Sequence, residues 1–342
     1  MSHKNLNVKI KIPKIFRVSL KNKKINAIYK RFEKSLNING KFAVAVSGGP
    51  DSLALAFLSK VYSIKKNTPS KFFIVDHKLR SGSTIEAKMV QKALKQIYVN
   101  SEILTWKGKK PSKNIQSVAR TKRYELLSAQ CDKYNIKNIL LGHHQDDLFE
   151  NFFIRMLRGS GLKGLISLDF KSEINNKKLL RPLLNQKKDD LVFISQKIFN
   201  FFVEDPTNKD EKFQRIKIRK LIEELKKNGL DKKKFLKTIN NLKISNRSIN
   251  FYVNENLKKN TYFLKKDNKL IINKTFFQQP YEIIFRSFSE SIKLIGEKYY
   301  STRGKKLDKI LNNLTNNHSF KGTLGGCIIE KVSQTVIISK EC

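Results

Sequence analysis

Four apolar runs of strand length mark the first half of the chain, and each gives way to a stretch whose apolar positions repeat at helical spacing. The runs are Phe42-Ala43-Val44-Ala45-Val46, Lys71-Phe72-Phe73-Ile74-Val75-Asp76, Glu102-Ile103-Leu104-Thr105-Trp106 and Asn138-Ile139-Leu140-Leu141-Gly142. Between them, Leu53, Ala54, Phe57 and Leu58 predict a helix from Asp51 to about Lys65. A second helix is predicted over Ser83–Val99, with Glu86 placed as the capping-box partner of Ser83. A third carries Gln116, Arg120 and Arg123 at i, i+4 and i+7, and a fourth follows Gly142. Ile25–Leu36 reads as a helix before the first strand. Strands alternating with helices predict a parallel sheet covered on both faces. From Asp210 to about Lys259 the pattern is basic and helical. From Asn260 polar and apolar positions alternate, and Thr323–Ile329 reads as a β-hairpin turning at Gly325-Gly326.

Composition changes this picture in one respect. The 342 residues carry 70 Lys and Arg against 29 Asp and Glu, a formal net charge of +41. Such an excess makes polyanions the natural partners, although a chain rich in Lys, Asn and Ile throughout does not single out a surface. Residues 1–24 contain no acidic side chain and read as a basic N-terminal arm, interrupted at Pro13. The three cysteines, Cys131, Cys327 and Cys342, form no C-x-x-C pair, so neither a zinc nor an iron–sulfur site is indicated. A reducing, cytoplasmic setting fits them. No apolar run reaches the ~18 residues of a membrane helix.

The candidate chemistry sits where strands end. After the first strand comes Ser47-Gly48-Gly49-Pro50-Asp51-Ser52. Glycines let backbone N–H groups approach an anion, and a helix start adds unpaired N–H groups and a positive dipole end. Ser47 and Ser52 add hydroxyls. Asp51 has the wrong charge for phosphate and suits a divalent cation instead. The loop is neither G-x-x-x-x-G-K-[ST] nor G-x-G-x-x-G; the bland alternative is a capped Gly-Gly turn. Asp76 and His77 end the second strand, placed for an adenosine, or Asp76 merely caps a loop. Arg120 and Arg123 share a helix face suited to phosphate or base contacts. After the fourth strand, His143, Asp147, Glu150 and Asn151 fall on one predicted helix face. That arrangement reads as a Mg²⁺-supporting acidic cluster, a transition-metal site, or capping by Asp146 and Asp147. Phe149, Phe152, Phe153 and Met156 read as core. Arg155, Arg158 and Lys163, among three glycines, form a mobile basic loop suited to RNA, unless Gly159 is simply a C-cap.

Taken together and in this order, these segments resemble the tRNA(Ile)-lysidine synthase family of PP-loop ATP pyrophosphatases. They are the Ser47–Ser52 loop, Val75-Asp76-His77, Ala119-Arg120-x-x-Arg123-Tyr124, His143-His144-x-Asp146-Asp147-x-x-Glu150 and Arg158-Gly159-Ser160-Gly161. Leu180-Arg181-Pro182-Leu183-Leu184, Glu204-Asp205-Pro206-Thr207-Asn208 and Arg215-x-x-Ile218-Arg219 agree, with Ile216 standing where the family usually has Asn. The resemblance covers about residues 40–220. It implies a Rossmann-like PP-loop ATPase domain over 25–220, a connecting helical region over 221–260 and a small α+β domain over 261–342 that contacts tRNA. It implies ATP and Mg²⁺ as cofactors, free L-lysine and a CAU-anticodon tRNA(Ile) as partners, and it admits a homodimer.

The implied reaction joins lysine to C2 of the wobble cytidine through an adenylated base, releasing pyrophosphate and AMP. In that frame Ser47, Gly48, Gly49, Pro50, Asp51 and Ser52, with Asp76, His77 and Arg123, hold ATP. Asp51 and Asp147 hold Mg²⁺, and with Arg120 they are the catalytic candidates. Glu150, His143 and Arg181 face lysine or the base, and Arg155, Arg158 and Lys163 face tRNA. The rivals are another PP-loop enzyme such as a tRNA thiolase, or a non-catalytic basic RNA-binding protein. Asp51, Asp146, Asp147 and Glu150 beside an anion loop argue against the latter.

Overall fold

Pro13 does not break the N-terminal segment; it caps it. The computed structural model describes residues 13–108, 111–112, 114–203, 214–297 and 304–341. In it α1 (Lys14–Lys21) starts directly after Pro13, and α2 (Lys23–Ser35) follows with Asn22 accepting N–H bonds from Lys24 and Ile25. The expectation of a flexible basic arm over 1–24 is therefore corrected for residues 14–24. Phe16 is fully buried and its ring lies 5.7 Å from that of Phe57. Full burial of a Phe is worth about 2–3 kcal/mol, enough to hold a short helix down despite its cations.

The sheet alternates as the apolar runs require: β1 (Phe42–Val46), α3 (Pro50–Lys65), β2 (Ser70–Asp76), α4 (Ser83–Gln96), β3 (Ser101–Thr105), α5 (Ile115–Lys133), β4 (Asn138–Leu140), α6 (Gln145–Met156) and a single turn α7 (Leu162–Leu165). A hairpin then forms from β5 (Lys171–Ile174) and β6 (Lys177–Leu180), followed by α8 (Lys188–Phe199) and α9 (Gln214–Lys227). Strand order is β3-β2-β1-β4-β6-β5, parallel except for β5. Val44 pairs with Phe72 on one side and Leu140 on the other, so β1 is central and buried. The order reverses at β1, and ligands of such sheets bind in the crevice beyond the strands' carboxyl ends at that switch point. The hairpin at the edge was not foreseen, because its strands are short and polar.

The chain divides into two units, 1–229 and 230–342. That division falls inside the 221–260 region expected to be one connector: α9 belongs to the first unit and α10 (Lys232–Asn260) to the second. The second unit continues with β7 (Thr261–Leu264), β8 (Lys269–Ile272), a 3-10 turn at Lys274–Gln278, α11 (Tyr281–Ile295), α12 (Gly304–Asn316), β9 (Phe320–Leu324), β10 (Cys327–Val332) and β11 (Thr335–Lys340). Its antiparallel sheet runs β7-β8-β11-β10-β9. The β9–β10 turn does use Gly325 and Gly326, both at positive φ. α11 and α12 cover one face through Phe288, Ile292, Leu307 and Leu311.

Candidate active site

The loop after β1 is held by one hydroxyl. Ser52 Oγ accepts the N–H groups of Ser47 and Gly48, both at 3.1 Å, and donates to Gly49 O at 2.9 Å. Ser47 Oγ lies 3.2 Å away. In this structure Ser52 Oγ and the first two loop N–H groups satisfy one another. Gly48 sits at φ +90°, and a Cβ there would stand 2.5 Å from Val90 Cγ2 and 3.0 Å from Val203 Cγ2. Gly49 has ordinary φ and open space where a Cβ would be. The first glycine thus shapes the loop and the second leaves the cradle open. Gly49 caps α3 with Pro50 at its first position, so the N–H groups of Asp51 and Ser52 have no acceptor within the helix.

A second glycine-dependent approach brings the acids together. A Cβ at Gly142 would lie 3.3 Å from the N and Cα of Ser52. The β4 crossover therefore passes against the start of α3. His144, not His143, caps α6: its Nδ1 accepts from Asp146 N–H at 3.2 Å, and Asp147 Oδ2 accepts from His144 N–H at 2.8 Å. Nε2 lies 3.5 Å from Asp51 Oδ2 and 3.7 Å from Asp147 Oδ2. His144 went unassigned in the sequence, where its neighbour looked the better candidate; the helix start, two residues later than the periodicity suggests, separates them.

Burial pushes the Asp51 carboxyl above its usual range; His144 and Lys188 pull against this, and the Asp147 charge adds to it. Asp147 is also buried, yet the charges of His144 and His143 and the His144 N–H bond hold it below its usual range. Asp51 Oδ1 is buried with no partner among the described residues. Two clustered carboxylates with an orphaned oxygen fit a divalent cation whose other ligands are phosphate oxygens and water. Among the described residues no group of three or more His, Cys, Asp and Glu is arranged to hold a metal ion.

Further along α6, Glu150 is 4 % exposed. Its Oε1 accepts from Arg219 Nε at 2.6 Å, while Oε2 is buried without a partner among the described residues. Arg219 comes from α9, which packs on α6. Burial would lower the Arg219 value, but Glu150, Asp147 and Asp51 together raise it, so α9 delivers a cation into the acidic cluster. His143 precedes the helix rather than sharing a face with Asp147 and Glu150, which corrects the periodic placement. Its Nδ1 is buried and unpartnered among the same residues, and burial, with Arg181, Arg120 and Arg215, pushes its pKa down to about 3 against the pull of Asp147. Across the switch point, Arg123 Nε donates to His77 Nε2 at 3.3 Å, and burial and Arg123 push His77 down to about 4. Arg120 is exposed, its guanidinium 5.1 Å from the Tyr124 ring centre.

Comparison with known proteins agrees with the fold. Residues 19–225 match the PP-loop domain family. The chain is 34% identical over 313 residues to the tRNA(Ile)-lysidine synthase of Orientia tsutsugamushi (strain Boryong), covering 89% of this chain and 70% of that one. It is also 34% identical to the enzyme of the same name from the Wolbachia of Brugia malayi, over 89% and 71% of the two chains. The chain belongs to the tRNA(Ile)-lysidine synthase family. A U34-tRNA thiolase from Methanococcus maripaludis, solved with its [4Fe-4S] cluster, shares the fold at 19% identity, with a TM-score of 0.54 over 64% of this chain and 78% of that one.

Within this family member, other sequence-derived candidates lie elsewhere than expected. Asp76 accepts from Lys78 N–H, Ser83 Oγ and Thr84 Oγ1 at 3.0, 2.8 and 2.6 Å, so it clamps its own loop. The Ser83–Glu86 capping box does not form; Glu86 pairs with Arg80 at 2.7 Å. Arg181 is buried, donating to Asp169 O and Ser172 Oγ at 2.8 and 2.9 Å, and so ties the edge hairpin beside His143. Arg155 is half-buried; Arg158 and Lys163 are exposed, and Arg158 donates to Gln214 Oε1 at 2.8 Å. The stretch around them is not an open loop: Gly159 at φ +65° closes α6, and α7 follows. Phe149 and Phe153 are buried and Phe152 half-buried, but Met156 is 46 % exposed. Ile216, in the family's Asn place, is a buried apolar contact of α9. The Glu204–Asn208 motif lies outside the described residues.

Proposed function

We propose that this family member forms lysidine in two steps at the site just described: ATP activates the wobble cytidine C2 oxygen of a CAU-anticodon tRNA(Ile), and free L-lysine then displaces AMP. The single observation that carries this reading is the meeting of Asp51 and Asp147 at His144 Nε2, directly beside the glycine loop. Backbone N–H groups of Gly49, Asp51 and Ser52 take the departing pyrophosphate oxygens, where charge builds as the α-phosphorus is attacked. Mg²⁺ held by Asp51 and Asp147 would supply the remaining charge neutralisation. His144 holds those two carboxylates in register. Glu150 Oε2 accepts from the lysine ammonium, and Arg219 fixes the other oxygen so that this one stays aimed. Arg120 and Arg123, both on α5, are suited to phosphate or to the flipped base.

The thiolase alternative has weaker support. Cys131 and Cys327 are each buried in the apolar core of their own unit, surroundings that suit packing rather than cluster ligation. No helix among the described residues is long and apolar enough to cross a membrane, and the reaction suits the cytoplasm. The test is incubation of purified protein with ATP, Mg²⁺, lysine and the CAU-anticodon tRNA, followed by nucleoside mass spectrometry. A lysine-sized mass gain on one cytidine, with one AMP and one pyrophosphate per product, is expected. A gain only with a sulfur donor would transfer the chain to the thiolases.

A further inference from the structure

The outer face of α10 has a composition that neither the core nor the active site explains. Taking 100° per residue, Lys233, Lys237, Ile244, Arg247, Phe251 and Lys258 fall within one narrow stripe. All six are exposed, and the buried residues of the helix, Ile239, Val253 and Asn256, lie on the opposite side. Ile244 is 60 % exposed and Phe251 61 %; Tyr252, flanking the stripe, is 59 %. The Phe251 and Tyr252 rings meet edge to face at 5.4 Å. A surface helix normally keeps such side chains inward.

The acidic residue on this stripe is Glu255, and Lys259 neutralises it at 2.9 Å. Lys237, Arg247 and Lys258 have no salt-bridge partner among the described residues. The stripe spans about 38 Å from Lys233 to Lys258 at 1.5 Å per residue.

We propose that this face of α10 is an RNA-docking strip, in which Phe251 and Tyr252 stack on unpaired bases while Lys237, Arg247 and Lys258 contact the flanking phosphates. Cations beside exposed rings are what sequence-tolerant single-strand binding requires. A second copy of the chain is disfavoured as occupant, because each copy brings the same cations and a net charge of +41. The inference deepens the tRNA reading above and rests on it for the identity of the RNA.

The test uses the full chain. Phe251→Ala with Tyr252→Ala removes the rings from a face that makes little internal contact, and Arg247→Gln with Lys258→Gln removes charge. Binding of a fluorescent single-stranded RNA and of the CAU-anticodon tRNA is titrated across a salt series. The ring variant should weaken both by about 10-fold or more, since stacking is worth about 1–3 kcal/mol per base, with an unchanged salt slope. The charge variant should flatten the salt slope by about one to two units. Pyrophosphate release at saturating tRNA reports the active site separately, so failure of the lysidine reading would leave the binding result standing. Unchanged affinity in both variants overturns the strip. So does a ring variant that binds RNA normally but shifts from dimer to monomer in sedimentation, which would make the face an interface between copies.

Discussion

Each unit buries a cluster of polar side chains, and the two differ in how far protein groups complete it. In the second unit Arg286 donates Nε to Glu282 Oε1 at 2.7 Å and Nη1 to Asn246 and Asn250 at 2.6 and 3.2 Å, and Nη2 lies 2.6 Å from the same Glu282 oxygen. Nearby, Asn256 donates to Ser287 Oγ and accepts from Asn260. That cluster pins α10 to α11, although Arg286 Nη2, buried against Glu282, makes no hydrogen bond of good geometry among the described residues. In the first unit Asp51 Oδ1, His77 Nδ1, His143 Nδ1 and Glu150 Oε2 are equally buried and lack partners among the described residues. Each such atom costs about 1–3 kcal/mol if nothing else meets it. These four lie around the ends of β1, β2 and β4, whereas Ser59 Oγ within α3 and Ser101 Oγ at the start of β3 are buried without a partner away from there. The Arg286 cluster is the more fully bonded of the two.

Three experiments break or sharpen this contrast. The largest effect is expected from Asp51→Asn. Pyrophosphate release should fall by on the order of 10²–10³-fold while tRNA affinity stays within about twofold. Because burial raises the Asp51 pKa in the folded state, its ionised form opposes folding above that value, so the variant should also melt at a higher temperature. Equal loss of tRNA binding would remove Asp51 from the metal role. Next, Arg286→Ala should cost about 3 kcal/mol in urea unfolding, by leaving Glu282 and two asparagines without their donor, with KM for lysine and ATP unchanged. A KM shift without a stability loss would reverse the assignment of that cluster.

The smallest effect concerns His77. Its folded pKa of about 4 lies below the unfolded value of about 6.5, so the unfolded chain binds the proton first. Stability from this group is complete above about pH 6.5 and is lost progressively as pH falls toward about 4. His77→Gln should flatten the melting-temperature profile between about pH 7 and 5; parallel profiles would show that His77 does not titrate out of the fold.

Much of the first unit could be read from spacing. Short apolar runs followed by helical periodicity leave few alternatives to a parallel sheet, and Gly-Gly at a strand end marks the anion loop. The α6 region was harder. His143-His144 offers two rings to the same pattern, and which one caps the helix depends on where the helix starts. Arg219 belongs to a recognisable motif but lies 69 residues from the Glu150 it meets, and no periodicity links them. Asp76 illustrates the reverse: an acid at a strand end looks like a ligand contact until Ser83 and Thr84 fold back onto it.

The amino-acid order by itself determined the alternation of strand and helix, the position of the glycine loop and the acids that serve it, because those depend on local periodicity and on residues adjacent in the chain. Only the tertiary structure decided which polar atoms are satisfied. Ser52 closing the loop, His144 standing between two carboxylates and Arg219 occupying half of Glu150 all depend on close approaches between separate segments, such as that at Gly142, and such distances are set by packing rather than by spacing along the chain.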